Sequence, residues 1–166
     1  MQGDPDLQSF ADPALAAFGE ADPGSEARAL QRIAGAPATP APRRDRPGSR
    51  LPVRAHLEAA LAVETDSAAL RRVIDSFRAI ESDLEWVRRM SFDESASANF
   101  VDGHANAMIL GQAGLENRRD VWFGVSLLAP HVRYTDHSHA PEETYLVLSD
   151  TAAAGGTIGA LSTPGG

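Results

Sequence analysis

No cysteine occurs among the 166 residues. Disulfides and thiolate metal sites are therefore excluded, and the redox compartment cannot be read from thiols. Long apolar runs are also missing: none approaches the ~20 residues that a membrane helix needs. Positive charge is in short supply, with 15 Lys and Arg against 23 Asp and Glu and a formal net charge of −8. A polyanion such as nucleic acid is thereby disfavoured as a partner. The opening Met1-Gln2-Gly3-Asp4-Pro5-Asp6 has neither the basic region nor the apolar core of a signal peptide. These absences predict a cytoplasmic protein that binds neither nucleic acid nor membrane. What is present suffices for one domain with a core: 43% of residues are hydrophobic, an ordinary share.

The chain divides by composition. Residues 1–52 predict short helices and a Pro/Ala/Arg-rich linker, partly disordered. Pro13 would open the first helix, through Phe18 to about Gly19. Ser25 would cap the second, which contains Arg28, Leu30 and Ile33. Pro37, Pro40, Pro42, Pro47 and Pro52 then mark the linker. Residues 53–90 predict a helical region. A helix from about Arg54 to Val63 precedes a long one, capped by Thr65 or Asp66 and running to about Arg89. Leu70, Val73, Phe77, Ile80, Leu84 and Val87 form an apolar stripe along it. That stripe must be buried against a sheet, the preceding helix or a second subunit, so a homodimer is among the expected arrangements. Trp86 lies off the stripe.

Residues 91–150 change character. Strands are expected at Asn99–Asp102, His104–Leu110, Val121–Ala129, Val132–Tyr134 and Thr144–Ser149. Gly103, Gly111, Gly114, Asn117 and Pro130 mark the turns. Helices followed by close-spaced strands predict an α+β fold with a sandwich or barrel. Residues 151–166 contain no charged residue and no periodic pattern, which predicts a disordered or non-native tail.

Chemistry concentrates in Asp136-His137-Ser138-His139-Ala140-Pro141-Glu142-Glu143-Thr144-Tyr145. On an extended strand His137 and His139 share one face, as do Glu143 and Tyr145. A bend at Pro141 would let two imidazoles and a carboxylate converge. Such a donor set suits a divalent transition metal (zinc, iron, manganese or nickel) with open positions. The competing reading is a solvated polar strand. The apolar flanks, Val125-Ser126-Leu127-Leu128 and Tyr145-Leu146-Val147-Leu148, favour a site held between core strands. His56, His104 and His131 read as surface or core histidines rather than ligands.

His137-x-His139-x-x-x-Glu143 resembles the first metal motif of cupins, which are jelly-roll β-barrels. Gly124-Val125-Ser126-Leu127-Leu128-Ala129-Pro130, Tyr134-x-Asp136, Pro141-Glu142-Glu143-x-Tyr145-Leu146-Val147-Leu148-Ser149 and His104-Ala105-Asn106-Ala107-Met108-Ile109 resemble the bacterial dimethylsulfoniopropionate lyases more specifically. The resemblance spans about residues 50–150. It implies N-terminal helices followed by a cupin barrel. It also implies metal-dependent β-elimination of a small sulfonium carboxylate to dimethyl sulfide and acrylate. His137, His139 and Glu143 would be the metal ligands and Tyr145 the base. Tyr134 would position substrate, and Trp122 or Phe123 would meet the sulfonium by a cation–π contact, against the competing and favoured reading of both rings as core residues. Cupins carry a second motif with a Pro-x-Gly turn and a further histidine, whereas here no histidine follows His139. The expectation is a barrel truncated or frameshifted after about residue 150. That departure keeps two other readings open: a non-catalytic cupin-like binding protein, and another metallo-cupin enzyme such as an isomerase or dioxygenase.

Overall fold

The computed structural model describes residues 4–21, 23–24, 42–45, 48–119, 121–136, 144–149 and 157–164, with only the backbone described at 144 and 157–164. The first helix, α1, is longer than its sequence suggests and covers Pro5–Ala21 with Pro13 inside it. Its true start is Asp4, whose Oδ1 accepts from the backbone N–H groups of Asp6 (2.9 Å) and Leu7 (3.2 Å), with Pro5 preset for the first turn. Packing outweighs the internal proline. Leu7, Phe10, Ala14, Ala17 and Phe18 are all buried. The expected second helix at Ser25–Ile33 and half of the linker lie outside the described residues.

A 3-10 turn at Pro52–His56 leads into a short helix, α2, Leu57–Leu61. The next helix, α3, spans Ala68–Ile80. Its cap is Ser67 rather than Thr65 or Asp66: Ser67 Oγ accepts from Leu70 N at 3.1 Å, while Thr65 Oγ1 accepts from Ser67 N at 3.2 Å. The expected continuation to Arg89 does not form. After a 3-10 turn at Glu81–Asp83 the chain becomes extended, and Val87 exchanges two backbone hydrogen bonds with Asn106, 2.8 and 2.9 Å. From there burial alternates: Leu84 and Trp86 are buried, and Val87 is exposed. The apolar stripe therefore runs from a helical period into a strand period.

A single-turn helix, α4 (Phe100–Gly103), stands where a strand over Asn99–Asp102 was expected. The reason is the Phe100 ring, which stacks on His104 with centroids 3.8 Å apart. Four residues of extended chain would separate the two by about 13 Å; one helical turn brings them together. The strands β1 (His104–Leu110), β2 (Val121–Leu128), β3 (Thr144–Val147) and β4 (Thr157–Pro164) form an antiparallel sheet in the order β1-β2-β4-β3. Three of these match sequence expectation closely. The strand expected at Val132–Tyr134 is not formed, and β4 arises where composition gave no strand signal.

One face of the sheet is sealed by helices. Ala105, Ala107 and Ile109 of β1, Phe123, Val125 and Leu127 of β2 and Leu146 of β3 join the core with α1 and α3. Phe123 meets Phe10 and Phe18, with centroids at 5.3 and 6.1 Å, and Phe10 also meets Phe77 at 6.1 Å. Among the described residues no strand closes the sheet into a barrel.

Where α3 unwinds, the buried Glu81 carboxylate holds the Arg54 guanidinium through two oxygens and accepts from Trp86 Nε1 at 3.1 Å. Burial pushes this carboxyl up, but the Arg54 hydrogen bond and charge, with the indole N–H, more than offset that and hold it below its usual range. Its contribution to stability is therefore present above roughly pH 4.3 and lost as the pH falls through the lowered value. Glu81→Ala should cost about 3–5 kcal/mol, because it strands a half-buried guanidinium; urea denaturation at pH 7 measures this. The same titration at pH 3 should show a smaller difference between variant and parent.

Candidate active site on the open sheet face

The face of the sheet opposite the helices borders a cavity of about 410 Å³. Its lining includes Glu85, Val87 and Arg89 from the edge segment, Asn106 and Met108 from β1, Gly124 and Ser126 from β2, Tyr145 from β3, and Tyr134. Strand alternation explains the set, since these are the partners of the residues that enter the core. Register then orders them in rows. Val87, Asn106, Ser126, Gly159 and Val147 lie in one row across the sheet, and Met108, Gly124, Leu161 and Tyr145 in the next. Gly124 lets β1 and β2 approach closely here: a Cβ there would come within 2.9 Å of the Ala107 carbonyl oxygen.

A polar chain crosses the floor of the cavity. Ser126 Oγ donates to Asn106 Oδ1 at 2.7 Å, and Asn106 Nδ2 donates to the Tyr134 hydroxyl oxygen at 3.0 Å. The amide is thus oriented from both ends, and it fixes the phenol in turn. The Tyr134 ring meets Phe100 edge-on (centroids 5.2 Å) and lies 5.9 Å from the Arg89 guanidinium carbon. Neither Asn106 nor Ser126 stands out in the sequence as a site residue. The available signal was a polar side chain at an inward position of an otherwise apolar strand.

His104 belongs to the core. It is fully buried. Its Nε2 accepts from Arg89 N–H at 2.8 Å, and Nδ1 bonds to the Phe100 carbonyl oxygen. Both nitrogens are engaged, so the ring is fixed as a neutral tautomer and offers no lone pair to a metal. Burial holds its pKa below the ordinary value, more strongly than the Phe100 bond raises it.

The segment before the His-x-His pair is firmly tied. Asp136 N donates to Ser95 Oγ at 2.7 Å, Thr135 Oγ1 donates to Asp93 Oδ1 at 3.0 Å, and Arg133 N donates to Ser97 Oγ at 2.9 Å. Side chains thus take the place of the ladder expected at Val132–Tyr134. The far flank is β3, beginning at Thr144. His137, His139 and Glu143 themselves lie outside the described residues. Among the described residues no three His, Asp or Glu side chains gather as a metal-ligand set.

Of the residues singled out from sequence, Tyr134 and Tyr145 share the cavity. Trp122 lines a separate recess with Gln112, Asn117, Arg118 and Arg119. Phe123 follows the core reading: it is buried against Phe10 and Phe18 on the helix side and does not meet a ligand in the cavity.

A family model described as dimethylsulfoniopropionate (DMSP) lyase matches residues 25–159. A solved structure from a study of the DMSP lyases RdDddP and RnDddQII is 20% identical, with a TM-score of 0.68 over 96% of this chain and 92% of that one. The DMSP lyase DddQ from Ruegeria pomeroyi DSS-3 is 19% identical, with a TM-score of 0.66 over 98% of this chain and 92% of its own. At these identities the likeness shows a shared fold. No curated protein matches the chain.

The state of His104 can be checked by titration. Its lowered pKa means that stability is complete above roughly pH 6.5 and declines as the pH falls below it. His104→Leu should cost about 1–3 kcal/mol at pH 7.5, by leaving the Arg89 N–H without its acceptor. Thermal melts at pH 7.5 and 5.5 should show a smaller pH effect in the variant than in the parent chain.

Proposed function

This chain belongs to the DMSP lyase family, and from that premise we propose how its open sheet face carries out the cleavage of DMSP to dimethyl sulfide and acrylate. Tyr145 is the base. As phenolate it takes a proton from the carbon next to the substrate carboxylate. The C–H electron pair becomes the new C=C bond, and the C–S bond breaks with its electrons on sulfur. Dimethyl sulfide then leaves as a neutral molecule, and acrylate retains the carboxylate. The observation that carries this reading is the shared cavity: Tyr145 lines it together with Tyr134 and the Ser126–Asn106 pair. Tyr134, oriented by Asn106, positions the substrate.

His137, His139 and Glu143 would hold a divalent transition metal. The chemistry of the donors fits, since neutral imidazoles and a carboxylate suit such an ion with open positions. The described neighbours also fit, because the stretch runs from the anchored Asp136 to the strand that carries Tyr145. When bound, the ion supplies positive charge that favours the phenolate and stabilises charge developing on the substrate carboxylate. Trp122, in the recess beyond Gln112, is the aromatic face offered to the sulfonium.

Headspace detection of dimethyl sulfide from the purified chain and DMSP tests the assignment. Tyr145→Phe should lower kcat by about 10²-fold or more while leaving the melting temperature nearly unchanged. Retention of full activity would remove Tyr145 from the mechanism. His139→Ala should lower metal content measured on purified protein; an unchanged content would overturn the ligand assignment.

A further inference from the structure

Arg89 is the sole cationic side chain among the described residues that line the cavity. Most arginines near it are already spent. Arg44 pairs with Glu85 (2.8 Å), Arg88 with Asp102 (3.1 Å) and Arg133 with Asp136 (3.0 Å). Among the described residues Arg89 has no carboxylate partner. Its Nε donates to the Ser91 carbonyl oxygen at 2.8 Å, which leaves the terminal nitrogens of the guanidinium to other acceptors. The backbone is fixed by the bond from Arg89 N to His104, and the guanidinium lies over Tyr134. A buried imidazole on one side and an oriented phenol on the other therefore hold this cation at one end of the cavity.

The other end carries a paired carboxylate. Glu85 stands four residues back on the same edge, about 13 Å away along extended chain, with Val87 between. Its charge is largely met by Arg44.

We infer that Arg89 is the carboxylate-recognition residue of this site, and that it sets the head-to-tail orientation of a zwitterionic sulfonium carboxylate. The inference rests on the reading of this cavity as the DMSP site. A guanidinium offers paired N–H donors that match a carboxylate and repels a sulfonium. The substrate therefore lies with its carboxylate toward Arg89 and Tyr134 and its sulfonium toward the Glu85 end. Arg89 does no bond chemistry; it selects and positions.

The test uses two unreactive probes of the same shape, 4-methylpentanoate and 4-methylpentanamide, which differ in whether the head group is charged. Calorimetry on the full chain should show the carboxylate bound at least about tenfold more tightly than the amide. Arg89→Met should abolish that preference, and Arg89→Lys should retain part of it, as a point charge without the fork. With DMSP both variants should raise KM more than they lower kcat. A carboxylate preference that persists undiminished in Arg89→Met, or that is missing from the parent chain, overturns the inference. Because probe binding needs no turnover, a failure of the lyase reading would appear separately, as absence of dimethyl sulfide from a chain that still discriminates the probes.

Discussion

Two backbone hydrogen bonds between Val87 and Asn106 hold the edge on which the cavity depends. They belong to a segment, residues 84–89, that leaves the helix its apolar spacing favours, and they bridge its Val87 to Asn106 of β1. Once that segment is extended, alternation does the rest. Leu84 and Trp86 enter the core, while Glu85, Val87 and Arg89 face the cavity. The same pairing places the Arg89 backbone against His104. The buried Glu81–Arg54–Trp86 cluster secures the point where helix becomes strand, so a polar group inside the scaffold governs the position of a site wall on the other side of the sheet.

The sheet separates two kinds of chemistry by its faces. On the helix side, phenylalanines from α1, α3 and β2 fill the core. On the cavity side, hydroxyl, amide, phenol and guanidinium groups are arrayed. A period of two alone accounts for this division, and it lets four strands both stabilise the domain and present a site. The polar groups there are held by one another: serine orients asparagine, and asparagine orients tyrosine. Such a chain loses little orientational freedom when a ligand arrives, which is the physical meaning of preorganisation here.

Much of this was legible beforehand. The strands His104–Leu110 and Val121–Leu128 follow from apolar runs bounded by turn residues, Gly103 and Gly111 for the first and Asn117 and Pro130 for the second, and Tyr134 and Tyr145, singled out by motif likeness, line one cavity. Other features were not legible, for identifiable reasons. Phe100 reads as a strand residue, yet stacking on His104 winds it into a helical turn. Pro13 reads as a helix start, yet burial of Phe10 and Phe18 carries one helix through it. The Thr157–Pro164 backbone joins the sheet between β2 and β3 although its composition carries no alternation.

Local order in the chain settled which chemical groups exist and which lie close along it: the imidazoles, the acid and the phenol of residues 137–145, and the α+β succession of elements. Those are matters of spacing within a few residues, where period and turn chemistry act directly. The three-dimensional arrangement settled which groups from distant parts of the chain meet. Arg89, Asn106, Ser126 and Tyr134 share a cavity because of edge pairing and strand register, and these depend on how helices cover the opposite face. Such contacts are long-range, so no stretch of sequence read alone contains them.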